Sequence, residues 1–268
     1  LGDVYKRQHD YFATNFHSPP DMAFILEVVC PACVLLRASP VPALAALATE
    51  LGKFITRGAD GLVTGGVHTP NHRWVVCAAL ASANVLFPNS SYVARIDQWL
   101  AETVDLDPDG QYTEKSTTVY SPIVNRALIT VARHLQRPAL LESVRRNLEM
   151  TIFYVHPDGE VVTEASRRQD RYQRGSMARY YYSYRTLALH DNNGRFAAMC
   201  RQIERTGRAQ IGTHHALHAN AQCHLEVIES FVHTITDCAV GEERREATFG
   251  RLQKSVDTLH VQVGFLLP

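Results

Sequence analysis

Residues 118–155 read TVYSPIVNRALITVARHLQRPALLESVRRNLEMTIFYV. In the first half Val124, Ala127, Leu128, Val131 and Leu135 recur at helical spacing and share one face, while Asn125, Arg126 and Arg133 fall elsewhere. In the second half Leu141, Val144, Leu148 and Ile152 repeat the pattern, with Arg145 and Arg146 outside it. Pro138 stands at the first turn of the second helix, where its missing N–H has no partner in any case. Two amphipathic helices joined by so short a connection form a hairpin, and that reading sets the fold class as all-α.

Working outward, Pro70 opens another helix through Val75, Val76, Ala79, Leu80 and Ala83. Similar patterns cover 41–56, 92–104, 176–190, 194–206, 216–234 and 239–258. Residues 22–37 also read as helix, with Pro31 expected to kink or divide them. Strand signals are weak and confined to 159–163, after the Pro157-Asp158-Gly159 turn, and to the apolar 261–267. Successive paired helices predict a helical array, either a solenoid or a ring of hairpins. Polar loops are expected at 57–69, which carries Gly58, Gly61, Gly65 and Gly66, and at 105–117 and 156–175. In a ring these loops gather at one mouth.

Composition removes whole classes of function. The chain has 27 Lys plus Arg against 27 Asp plus Glu, so it lacks the basic excess of a nucleic-acid binder. No apolar run reads as long enough to span a bilayer, a length of roughly 18 residues or more. Six cysteines are too scattered for a disulfide scaffold. Cys30-x-x-Cys33 lies within an apolar stretch and is expected to be two packed thiols, not a redox pair. Leu1–Gln8 (LGDVYKRQ) resembles translated adapter sequence, and the chain stops on an apolar run. The expected organisation is therefore a non-native start at 1–8, one helical domain over 9–260, and the broken start of a further domain at 261–268. With the true start missing, the compartment stays open between cytoplasm and periplasm.

Four groups of residues carry chemistry. In Thr69-Pro70-Asn71-His72-Arg73-Trp74, Asn71 and His72 occupy the first turn of a helix, where the macrodipole favours anions and His exchanges a proton near neutrality. The second group, 107–120, runs from an Asp107-Pro108-Asp109-Gly110 turn through Tyr112, Glu114 and Ser116 to Tyr120 in the next helix. The third, His156-Pro157-Asp158-Gly159 and then Glu164-Ala165-Ser166-Arg167-Arg168-Gln169-Asp170-Arg171, clusters guanidinium groups that match carboxylates bidentately. It precedes Arg179-Tyr180-Tyr181-Tyr182-Ser183-Tyr184-Arg185, whose tyrosines divide between packing and sugar stacking. Last, His214 and His218 share a helical face, with His224 beyond, but no H-E-x-x-H pattern or third ligand accompanies them, and no metal or other cofactor is expected.

Asn71-His72, followed by Asp109-Gly110, Glu114, Ser116 and Tyr120 in the form DG-x-x-x-E-x-S-x-x-Y, resembles the heparinase II/III and oligo-alginate lyase group. Where that group commonly has S-P-x-Y-H, this chain has Ser116-Thr117-Thr118-Val119-Tyr120-Ser121. The resemblance implies an incomplete (α/α) toroid of paired antiparallel helices, with a C-terminal β-sandwich missing or truncated here. It implies a bacterial polysaccharide lyase acting on an acidic polysaccharide or oligosaccharide, with Tyr120, His72 and Asn71 catalytic. Glu114, Tyr112, Arg126, Arg168 and Asp170 are the expected substrate contacts.

The residue types suit that chemistry in their own right. β-Elimination removes the C5 proton of a uronate, which is hardly acidic until donors neutralise the adjacent carboxylate. Asn71 with a nearby Arg is expected to do this, His72 or Tyr120 to act as base, and a Tyr to protonate the departing oxygen. A phenol needs a cationic neighbour to serve as base, and Arg126 or an Arg from the following segment is expected to supply it. Two rival readings remain open. One is a glycoside hydrolase on the same helical ring, with Glu114 and Asp170 as its carboxylates. The other is a non-catalytic helical-repeat protein that binds partners along a concave face.

Overall fold

The computed structural model describes residues 18–38, 42–67 and 69–210. The expected helices at 216–234 and 239–258, the strand at 261–267, residues 1–8 and His214, His218 and His224 lie outside them. Among the described residues there are eight α-helices: α1 (Pro19–Arg37), α2 (Pro42–Thr64), α3 (Pro70–Leu86), α4 (Ser90–Ala101), α5 (Tyr120–His134), α6 (Leu140–Ile152), α7 (Tyr181–His190) and α8 (Gly194–Gln210). Two short strands, β1 (Glu160–Val161) and β2 (Gly175–Ser176), pair antiparallel and close the segment between α6 and α7. A 3₁₀ turn, Met177–Tyr180, leads into α7. The protein is mainly helical, as its periodicity requires.

The helices pack as successive pairs, α1 with α2, α3 with α4, α5 with α6 and α7 with α8. Across the pairs the odd-numbered helices also touch in order, α1 on α3, α3 on α5 and α5 on α7. The centre of this row is α3. Trp74, Val75, Val76, Cys77, Ala78, Ala79, Leu80 and Ala81 are all buried, because an all-apolar helix is stable only when covered on every side.

Three expectations are corrected. First, α1 passes through Pro31 as one helix. Proline removes one hydrogen bond from the ladder. Burial of Leu26, Val29, Cys30, Cys33 and Leu36 against α2 and α3 holds the helix on both sides of it. Second, 57–64 is helix and not loop. Leu44, Ala48, Leu51, Ile55, Ala59 and Leu62 form an unbroken buried stripe, and its burial outweighs the low helix propensity of Gly58 and Gly61. Gly58 lets α1 approach closely, since a Cβ there would stand 2.8 Å from the Met22 sulfur and force that side chain to shift. Third, α1 is a 19-residue helix with a hydropathy of 1.7, long and apolar enough by those measures to cross a membrane. In this fold 56% of that stretch is buried inside the protein, and its Glu27 pairs with Arg126 of α5. The expected strand at 159–163 shortens to Glu160–Val161.

Cys30 and Cys33 are both buried and free. Burial, with Cys33 beside it, pushes the Cys30 thiol up to about 12, and the Cys33 sulfur donates toward the Ala48 carbonyl at 3.6 Å. A thiol held this far from ionisation is a packing group and not a nucleophile.

Candidate functional site

Two polar loops and the start of α3 meet through side chains. Thr69 begins α3 in an extended conformation, and Pro70 supplies the first helical φ. Asn71 is fully buried and turned toward the 105–119 loop. Its side-chain amide donates to Glu114 Oε1 at 2.9 Å and Oε2 at 2.8 Å, and its backbone N–H donates to Oε2 at 3.1 Å. The same amide reaches Thr69 Oγ1 at 3.0 Å. A carboxylate at the first turn of a helix also gains from the macrodipole.

Glu114 is fixed from its own loop as well. The turn ahead of it depends on Gly110, whose φ is +96° and whose added Cβ would come within 2.6 Å of the Arg146 carbonyl oxygen. Tyr112 then enters the core. Its hydroxyl donates to Asn125 Oδ1 at 2.8 Å, Asn125 donates to Asn147 Oδ1 at 2.8 Å, and Asn147 donates to the Gly110 carbonyl at 3.0 Å. Burial raises the Tyr112 phenol well above its ordinary range, so it remains a neutral donor that closes this chain. Lys115 follows with φ +50°, a strained conformation that separates the directions of Glu114 and Ser116.

On the far side of that turn Asp170 gathers the loops. It is 1% exposed, and its Oδ2 accepts from Ser116 Oγ (3.0 Å), Thr118 N (3.1 Å), Thr118 Oγ1 (3.0 Å) and Ser166 Oγ (3.1 Å). Ser116 Oγ in turn accepts from the Tyr120 N–H at 3.0 Å, so Asp170 caps the start of α5 through a serine. The Arg167 N–H donates to the Lys115 carbonyl at 2.7 Å and the Tyr180 hydroxyl donates to that of Thr117. Together these bonds stitch 114–120 to 163–170.

Tyr120, half-buried, projects from this seam. The Arg168 guanidinium lies over its ring at 5.1 Å from the centroid and pairs with Glu114 Oε1 at 3.6 Å. Gln169 donates to the Tyr120 hydroxyl. Asn71, Glu114, Arg168, Tyr120 and Gln169 therefore form one continuous chain of contacts. His72 is the next residue along α3, half-buried, with its ring edge-to-face against Phe24 of α1 at 6.3 Å.

Other expected residues fall elsewhere. Arg126 donates to Glu27 of α1 at 2.8 Å. Six positions after Tyr120 on one helix is about 240° round the axis, so the two do not share a face. Among the tyrosines of 179–185, Tyr180 and Tyr184 are buried, the latter donating to the Leu148 carbonyl at 2.8 Å, and Tyr181 donates to Glu204 at 2.6 Å. Among the described residues no three His, Cys, Asp or Glu side chains cluster as a metal site. Sequence reading passed over Gln169 and Ser116 as partners of Tyr120. Gln169 has no sequence signal beyond its place in a polar loop, whereas Ser116 stands in the DG-x-x-x-E-x-S-x-x-Y pattern. No protein-family model and no curated protein matches the sequence.

Proposed function

We propose that the chain is the helical part of a polysaccharide lyase that cleaves a uronic acid-containing polysaccharide or oligosaccharide by β-elimination, its paired helices belonging to an incomplete (α/α) toroid. The observation that carries the reading is a half-buried phenol with a guanidinium over its ring and a glutamine donating to its hydroxyl. Arg168 takes the role of neutralising the uronate carboxylate. Asn71 takes a positioning role instead, because its amide donors are already engaged by Glu114, which faces Arg168. With the carboxylate neutralised, His72 or Tyr120 accepts the C5 proton and the C5–H electron pair forms the C4–C5 double bond. The C4–O bond breaks with its electrons going to the leaving oxygen, which takes a proton from a tyrosine hydroxyl.

Glu114 and Asp170 serve in this scheme as buried anchors, Glu114 held by Asn71 and Asp170 held through Oδ2 by Ser116, Thr118 and Ser166, and their burial disfavours a hydrolase built on that pair. The test is to incubate the full chain with a panel of polyuronates and glycosaminoglycans. The ultraviolet absorbance of the unsaturated uronate product is then followed. A rise with at least one substrate is expected. New reducing ends without that absorbance identify a hydrolase, and no change on any substrate contradicts the lyase reading.

A further inference from the structure

A pocket lies beside the 163–170 segment, linked to it by Gln173, whose side chain donates to the Gln169 carbonyl at 2.6 Å. A cavity of about 430 Å³, within the roughly 300–1,000 Å³ of small-ligand sites, opens between the β1–β2 pair and the turn after Asp170. Its lining includes His156, Glu160, Thr163, Glu164, Tyr172 and Arg174. Tyr172 is 71% exposed although it is large and aromatic. It sits at the third position of a four-residue turn closed by the Gln173 N–H on the Asp170 carbonyl at 3.1 Å, and its φ is +62°. That position favours glycine, and a tyrosine there is strained. Thr163 Oγ1, donating to the Gln173 carbonyl at 2.6 Å, locks the turn to the strand side of the cavity. Arg171 covers one face of the Tyr172 ring at 4.7 Å, and the ring presents its remaining surface outward.

Burial offsets little of the strain, since Tyr172 stays 71% exposed. An exposed aromatic ring beside short polar side chains suits a sugar, whose C–H faces pack on the ring while hydroxyls find partners. The charge in the cavity narrows the class. Glu160 and Glu164 bring two carboxylates, balanced by Arg174, 3.5 Å from Glu160, and by Arg171 over the Tyr172 ring. With those charges balanced, no net positive charge remains to hold an anionic ring. We infer that this cavity is an outer subsite for an uncharged sugar ring, stacked on Tyr172. Tyr172 stands two positions after the Asp170 anchor and three after the Gln169 that bonds Tyr120. In describing the ring as part of a substrate the inference rests on the lyase reading, whereas the binding itself does not.

The test is backbone-amide NMR of the full chain titrated with cellobiose, lactose and N,N′-diacetylchitobiose, with D-glucuronate as the charged comparison. Saturable shifts at 160–164 and 172–174 are expected with at least one neutral disaccharide and not with glucuronate. Tyr172→Phe should keep them. Tyr172→Gly should weaken binding by roughly three- to tenfold, with its thermal midpoint unchanged or raised because glycine relieves the strained φ. Equal binding by Tyr172→Gly, shifts with glucuronate alone, or no shift with any neutral disaccharide overturns the subsite. These readings need no turnover. Shifts without unsaturated product leave the subsite standing and remove the lyase, and the converse result removes the subsite alone.

Discussion

The row formed by α1 and α3 and the seam between 114–120 and 163–170 are both buried, but different forces hold them. In α3 an unbroken run from Trp74 to Ala81 is covered by neighbouring helices, and apolar burial does the work. In the seam Asp170, Ser116, Thr117, Thr118 and Ser166 are all under 8% exposed, and hydrogen bonds on one carboxylate hold two loops together. Apolar contact is non-directional and tolerates small shifts, whereas a polar knot fixes atoms to within a few tenths of an ångström. Tyr120 stands where the second kind of order begins. In the proposed lyase this is the group that moves a proton.

Substitutions in the two regions should therefore fail differently. Leu80→Ala, in the fully buried centre of α3, should destabilise by about 2–5 kcal/mol. Chemical denaturation checks this, and the protein that remains folded should turn over substrate at the parent rate. Asp170→Asn should lose about 1.5–3 kcal/mol, the scale of a hydrogen bond to a charged group. Its effect on kcat should exceed its effect on stability, because the start of α5 loses its anchor through Ser116. Equal proportional losses in both variants would erase the distinction between the regions.

The smallest expected effect lies away from both. Asp191 accepts from Arg145 Nε at 2.7 Å and Nη2 at 2.9 Å, and this pairing holds its carboxyl below the ordinary range. A depressed carboxylate contributes stability that is present above its unfolded pKa and is lost as pH falls through the folded value. Asp191→Asn should thus cost about 1 kcal/mol or less near neutrality, as expected of a partly exposed pair. The difference from the parent in thermal midpoint should shrink below about pH 4.

Much of the helical frame was legible because burial at spacings of three and four leaves a periodic record. α5 and α6 lie within the expected ranges for that reason. The errors came where local propensity was weighed above that record. Gly58 and Gly61 read as loop although Ile55, Ala59 and Leu62 continued the stripe, and Pro31 read as a break in a helix gripped on both sides. Of the candidate site, the residue types and the three segments were legible, but the pairings were not. Nothing periodic tells that Arg168, and not Arg126, lies over Tyr120, or that Asn71 faces Glu114. Those facts depend on loop turns at Gly110 and Lys115, whose positive φ values leave no repeating trace.

In the proposed reaction the Tyr120 hydroxyl moves a proton during bond cleavage, and Tyr120→Phe removes that hydroxyl alone. Phenylalanine keeps the ring under Arg168 and most of its packing, so folding and substrate affinity should change little. Steady-state turnover of the full chain should be measured on whichever substrate gives the largest absorbance change. The expected result is a loss of roughly 10²–10⁴-fold in kcat, the usual contribution of a positioned acid or base, with KM nearly unchanged. A Tyr120→Phe protein that retained more than about a tenth of the parent kcat would contradict the account, because a positioned proton carrier contributes far more than that.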